Sequence, residues 1–230
     1  MAETRWMPLE SNPEVMNTFI HKLGVSKKWQ FTDVYGLDPE LLCMVPQPCC
    51  ALILLFPVSE KYGDYCKTEG ERLANEGQKV SPEVFFMKQT IRNACGTIGV
   101  IHAVANNKNR IGIKDASVFS KFLTDVKTMS PEEIGKRLEN DSSIRDVHKT
   151  CAEEGQTEAI QAEENVDLHF VALVHVDNSL YELDGNKPFP INHGSTSNDT
   201  FLEDAAKVCR EFMSRDEKEL RFTIVALSEM

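Results

Sequence analysis

Cys95 carries the strongest nucleophile the chain could use. Asn93, a capping residue type, precedes it, and Gly96-Thr97-Ile98-Gly99-Val100 follows, so a helix is expected to begin at the thiol. Thiolate is the reactive form of cysteine, and a helix N-terminus stabilises it. Gly96 would leave backbone room for a substrate beside the sulfur. The plainer reading of any cysteine is a buried structural one. The other six take that reading: Cys43, Cys49 and Cys50 lie in apolar runs and Cys209 on a helix face, while Cys66 and Cys151 lie in polar segments as candidate surface thiols. Gln89, six residues before Cys95, has an amide able to donate to a developing oxyanion, with the Cys95 backbone N–H as a second donor. Losing one such donor typically costs ~2.7–4 kcal/mol of barrier.

A base is needed to take the thiol proton. His169 lies in an apolar strand between Leu168 and Phe170, where an imidazole must find a hydrogen-bond partner. Alone, it reads as a satisfied core histidine. A two-residue turn at Asp177-Asn178 changes this, because it pairs Ser179 with Val176 and Asp184 with Val171. Asp184 then shares a sheet face with His169 as its diagonal neighbour, ~7–8 Å away along the backbone and within side-chain reach. His175 shares the face but lies next to the turn, and His102 belongs to a core helix. No acidic partner can be placed by spacing for His21, His148 or His193. The order Gln, Cys, His, Asp is that of acyl transfer through a thioester: attack by sulfur, proton shuttling by imidazole, orientation by carboxylate, and an oxyanion site. That chemistry calls for no cofactor and no metal.

The elements that must position these groups follow from pattern. Asn12-Pro13-Glu14 opens a helix whose stripe is Val15, Met16, Phe19, Ile20 and Leu23, ended by Gly24. Trp29 to Tyr35 reads as a strand, Asp38-Pro39-Glu40 starts a brief helix, and Cys49 to Phe56 reads as a strand buried on both faces. Residues 60–82 form a helix plus loop. The stretch from Ile98 to Ala105 is apolar all round, as a central helix would be. Ser130-Pro131-Glu132-Glu133 is a capping box. Residues 150–165, rich in glutamate, are expected to be a mobile surface loop spanning the site. Val166 to Val176 and Leu180 to Asp184 form a hairpin, Thr200 to Arg215 an amphipathic helix, and Phe222 to Leu227 a closing strand. Without regular βαβ alternation the expectation is α+β, a largely antiparallel central sheet flanked by helices.

Composition narrows the function classes. The 230 residues suit one domain, here residues 1–230, with 41% hydrophobic and 27% charged residues. A net charge of −11 disfavours nucleic acid as partner and favours a basic one. The seven cysteines include no CxxC pair, the first residues lack the apolar core of a secretory signal, and no run could span a bilayer. A cytoplasmic protein with no membrane association is expected, and a monomer, since no long exposed apolar stripe calls for an obligate partner.

Phe86-Met87-Lys88-Gln89-Thr90-Ile91 with Asn93-Ala94-Cys95-Gly96-Thr97-Ile98-Gly99 resembles the active-site signature of the ubiquitin carboxyl-terminal hydrolases. Leu168-His169-Phe170 and Leu180-Tyr181-Glu182-Leu183-Asp184-Gly185 resemble that family's histidine and aspartate motifs, and Glu154-Gly155-Gln156-Thr157-Glu158-Ala159 is similar to part of its active-site crossover loop. The likeness runs from Arg5-Trp6 to Leu227. It implies a papain-like cysteine-protease core, a knotted backbone, and hydrolysis of esters, amides and small or unstructured adducts at the C-terminal glycine of ubiquitin. NEDD8 would be a second substrate. Cys95 is then nucleophile, His169 base and acid, Asp184 the orienting group and Gln89 the oxyanion donor. Substrate contacts implied are Pro8, Leu9, Glu10, Ser11, Asn12 and Pro13; Ala152, Glu153, Glu154, Gly155, Gln156, Thr157, Glu158 and Ala159; and Glu219, Leu220, Arg221, Phe222, Thr223 and Ile224. The net charge of −11 fits that implied substrate independently, since ubiquitin's C-terminal tail carries arginines before its two glycines, and Glu10, Glu14 and Asp33 are candidates for short-range pairing with it. A noncatalytic ubiquitin-binding and ubiquitin-stabilising protein is the alternative, and a general papain-type peptidase a third reading.

Overall fold

Residues 4–155 and 166–230 are described by the structure, a computed structural model. Helix α1 (Pro13–Leu23) starts where the Asn12 side chain accepts from the Glu14 N–H at 2.9 Å and stops at Gly24, whose φ of 111° is left-handed. Such a cap is worth about 1 kcal/mol. There follow β1 (Trp29–Asp33), α2 (Pro39–Leu42), β2 (Cys49–Pro57), α3 (Glu60–Glu76) and α4 (Cys95–Asn106). Next come α5 (Lys108–Ile111), α6 (Val118–Asp125), α7 (Pro131–Glu139) and α8 (Ser142–Glu153). The chain closes with β3 (Leu168–Val176), β4 (Ser179–Leu183), β5 (Ile191–Ser195), α9 (Phe201–Ser214) and β6 (Thr223–Glu229). Among the described residues, no helix is long and apolar enough to cross a membrane.

The architecture is α+β. Among the described residues six strands lie in the order β1-β6-β2-β3-β4-β5, and each neighbouring pair is antiparallel. Strand β2 runs near the middle with side chains buried on both faces. Ala51 and Ile53 join the core around α4, while Leu52, Leu54 and Phe56 join the core around α9. A strand covered by helices on both sides has no polar face to show, which is why it reads as an unbroken apolar run. Helix α4 is buried all round for the same reason.

The β3–β4 hairpin has the expected register. Val176 pairs with Ser179 and Ala172 with Leu183, while Asp177 and Asn178 take φ of 47° and 58°. Two left-handed residues make the tight turn whose twist matches the strands. Continuing the ladder one step past Leu183 sets Asp184 opposite Val171. The Ser130 capping box is formed as expected.

Three local expectations are corrected. Thr150 to Glu153 are the last turn of α8 rather than loop, with Cys151 and Ala152 buried and Thr150 and Glu153 facing outward. The N-cap of α4 is Ala94, without a side-chain cap, and Asn93 instead takes a left-handed φ of 63°. Cys151 is therefore no surface thiol, whereas Cys43, read as buried, is exposed.

Candidate active site

The site forms at the end of the sheet, where the two core layers meet. Cys95, half-buried, arrives from the α4 layer. His169 and Asp184 come from the β3–β4 hairpin, alongside residues of the α9 layer. The His169 Nε2–H donates to Asp184 Oδ1 at 2.7 Å, with both side chains buried. Nδ1 is thereby the ring nitrogen left for the thiol, and Cys95 interacts with the His169 ring. Burial alone would lower the imidazole pKa. The Asp184 charge, its hydrogen bond and the neighbouring Cys95 outweigh burial and hold it well above the ordinary range. Burial would raise Asp184, but His169, the Asn186 N–H at 2.9 Å and Lys187 bring it down to about 2, so it stays a carboxylate.

Gln89 is fixed by its backbone, whose N–H donates to Gly185 O at 2.9 Å. Its side chain lines the same cavity as Cys95 and His169, and its Oε1 is buried with no partner among the described residues. Cys95 is the first residue of α4, so its own N–H belongs to the group that a helix leaves without internal acceptors. An amide and a backbone N–H without an intrahelical acceptor, both beside one thiol-bearing cavity, can together receive a developing oxyanion.

The cavity encloses about 430 Å³. Of the expected contact residues, Pro8, Leu9, Glu10, Ser11 and Ala152 line it. Glu10, Ser11, Asn12, Pro13 and Asp33, with Glu14, surround an adjoining depression of about 340 Å³. Phe222, Thr223 and Ile224 line a further depression beside Asp33 and Tyr35. Glu219 and Arg221 pair at 2.8 Å, Arg221 reaches Asp167 at 2.9 Å, and Leu220 between them is 86% exposed. Glu153 and Glu154 pair with Lys149 and Lys22 on the surface, and Gly155 lies against the Glu10 carboxylate. Gln156, Thr157, Glu158 and Ala159 lie outside the described residues.

Several features differ from expectation. A side chain on Gly96 would meet Leu9 Cβ at 3.0 Å and Phe170 at 3.1 Å. The glycine therefore admits the protein's own packing rather than a substrate. His193, for which spacing offered no acidic partner, bonds buried Glu182 at 2.9 Å, and Lys187 pairs with the same carboxylate. His148 donates to Met7 O at 2.9 Å and accepts from Thr97 Oγ1 at 2.7 Å. His102 accepts from the Met87 N–H at 3.1 Å and stacks on Phe86, as a structural histidine does. Tyr62, on which sequence reasoning was silent, donates to Asp184 Oδ2 at 3.2 Å. Nothing in the local spacing of residues so far apart signals that contact. Burial pushes Cys49 up to about 11 and Cys209 up to about 12, far from thiolate character. Among the described residues no group of three or more His, Cys, Asp or Glu side chains converges as metal ligands.

Residues 6–214 match the family described as ubiquitin carboxyl-terminal hydrolase, family 1. The chain is 50% identical over 220 residues to ubiquitin carboxyl-terminal hydrolase isozyme L1 of Homo sapiens, covering 96% of each chain. It is 48% identical over 226 residues to a probable ubiquitin carboxyl-terminal hydrolase of Dictyostelium discoideum, covering 98% of this chain and 89% of that one. The solved structure of the Trichinella spiralis UCH37 catalytic domain bound to ubiquitin vinyl methyl ester superposes with a TM-score of 0.76 at 25% identity, covering 100% of this chain and 98% of that one.

Proposed function

The chain belongs to family 1 of the ubiquitin carboxyl-terminal hydrolases, a thiol hydrolase with a papain-like α+β core, and on that premise we propose that Cys95, His169, Asp184 and Gln89 cleave adducts from the C-terminal glycine of ubiquitin. Cys95 Sγ, its proton already held on His169 Nδ1 as a thiolate–imidazolium pair, adds to the carbonyl carbon of that glycine. The Gln89 amide and the Cys95 N–H hold the resulting oxyanion. As the intermediate collapses, His169 returns the proton to the departing amine or alcohol, leaving a thioester. His169 then takes a proton from water, the hydroxide so formed attacks the thioester, and ubiquitin leaves as a carboxylate with the thiolate–imidazolium pair restored. Asp184 keeps Nδ1 free for these transfers by holding Nε2–H.

The 2.7 Å bond between His169 Nε2 and Asp184, in a cavity shared by Cys95 and Gln89, carries this reading. Glu10, Glu14 and Asp33 around one depression beside that cavity give a basic C-terminal tail a place to dock, in keeping with the net charge of −11. Pro8, Leu9 and Ser11 would flank the tail where it enters. NEDD8, as the related modifier, is the second substrate. Residues 1–230 act as one catalytic domain, as a monomer in a reducing, cytoplasmic setting where all seven cysteines remain free thiols. Turnover of ubiquitin bearing a C-terminal fluorogenic amide tests the proposal. Release of the fluorophore by the protein and its loss in Cys95→Ser, with ubiquitin still bound, are expected. Equal release by both would overturn it.

A further inference from the structure

We propose that Tyr62 is a positioning residue for the catalytic carboxylate, its hydroxyl fixing the second oxygen of Asp184 and so the orientation of His169. The proposal rests on the role given to Asp184 above. Asp184 Oδ1 already serves two donors, His169 Nε2 at 2.7 Å and the Asn186 N–H at 2.9 Å. Oδ2 has Tyr62 Oη as its donor among the described residues, at 3.2 Å. A carboxylate held at one oxygen can still turn about its Cβ–Cγ bond, whereas one held at both has a fixed plane. A buried carboxylate oxygen stripped of its donor also carries its full desolvation cost.

Tyr62 is built into this place. The Ser59 hydroxyl caps α3 by accepting from the Tyr62 N–H at 3.3 Å, which fixes the residue in the first turn. Tyr62 and Leu73 are the buried residues of that 17-residue helix, so its first turn is spent on the catalytic end of the sheet. The ring meets Phe56 edge-on, with centroids 4.7 Å apart, and lies 5.9 Å from Phe212. Phe56 in turn meets the His169 ring edge-on at 5.9 Å. Tyr62 thus meets the pair directly at Asp184, by its hydrogen bond, and indirectly at His169, through the Phe56 ring between them. Burial, then the Asp184 charge, pushes its phenol far upward, so the hydroxyl stays protonated and donates.

Removing only the hydroxyl tests this, because phenylalanine keeps the ring contacts. Tyr62→Phe, Asp184→Ala and the double variant are compared with the unsubstituted protein for hydrolysis of a ubiquitin-linked fluorophore. The expected result for Tyr62→Phe is a fall in kcat of about tenfold with KM held within about twofold. In the Asp184→Ala background the same change should alter kcat by less than about twofold, because the group it acts through is gone. Unchanged kcat in Tyr62→Phe, or an equal fall in both backgrounds, overturns the positioning role. No turnover by the unsubstituted protein would instead overturn the hydrolase reading itself, which keeps the two failures distinct.

Discussion

The backbone N–H of Gln89 donates to the carbonyl of Gly185 at 2.9 Å, fastening the segment that carries the oxyanion amide to the turn that follows Asp184. Lys88 reinforces the join, its Nζ reaching the carbonyls of Asn186 and Lys187. Gln89 and Gly185, 96 residues apart in sequence, are thereby held as one rigid piece. A Cβ at Gly185 would stand 3.0 Å from both Cβ and N of Gln89 and 3.2 Å from Ile98 Cγ2. Gly185→Ala must therefore push the two arms apart. Overpacking of this kind costs about 1–3 kcal/mol of stability, and a shift of reacting groups by a fraction of an ångström costs roughly 10-fold or more in rate. Melting temperature and kcat measured side by side check this: a modest drop in the first and a large drop in the second are expected. Unchanged kcat would mean the join does not align the site.

Gln89 itself is predicted to act on the transition state rather than on binding. Gln89→Ala should lower kcat by about 10²–10³ with little change in KM. Gln89→Glu, which keeps the volume and removes the donor, should behave alike. A rise in KM with kcat preserved would place the side chain in substrate binding instead.

The buried histidines divide by sign. Burial lowers His102 and His148 to about 4, against which the Asp184 charge at His102 and the Met7 carbonyl at His148 work only partly. Each is neutral in the fold, so its contribution is complete above the unfolded value of about 6.5 and is lost as pH falls toward 4, a loss on the order of 3 kcal/mol each. His169 is the reverse, raised to about 10 chiefly by Asp184 against the opposing burial. Its contribution is complete below about 6.5 and is lost as pH rises toward 10. Urea unfolding between pH 4 and 10 should show stability falling on both sides. His148→Gln should flatten the acid side, and Asp184→Asn the alkaline side. Parallel profiles for a variant and the unsubstituted protein would remove that pair from the account.

The order of the site residues could be read because two rules sufficed: a thiol at a helix start, and period two along a hairpin whose turn is two residues long. Those rules set Asp184 one diagonal from His169, and Nε2 and Oδ1 meet there. Contacts between distant elements follow no spacing rule. Tyr62 to Asp184, Thr97 to His148 and His193 to Glu182 all depend on helices and an edge strand docking at particular places on the sheet. The last turn of α8 was hidden because Cys151 and Ala152 give too short an apolar stripe among the acids of residues 153–164. The space beside Gly96 is filled by Leu9, from a segment 87 residues earlier, which no local pattern announces.

Reaction of the protein with ubiquitin carrying an electrophilic C-terminus, followed by peptide mass mapping, tests the central claim most directly. One ubiquitin per chain bonded to Cys95, abolished in Cys95→Ser and slowed in His169→Asn, is the predicted result. No bonded ubiquitin, or attachment at exposed Cys43 or half-buried Cys66 with Cys95 left free, would contradict it.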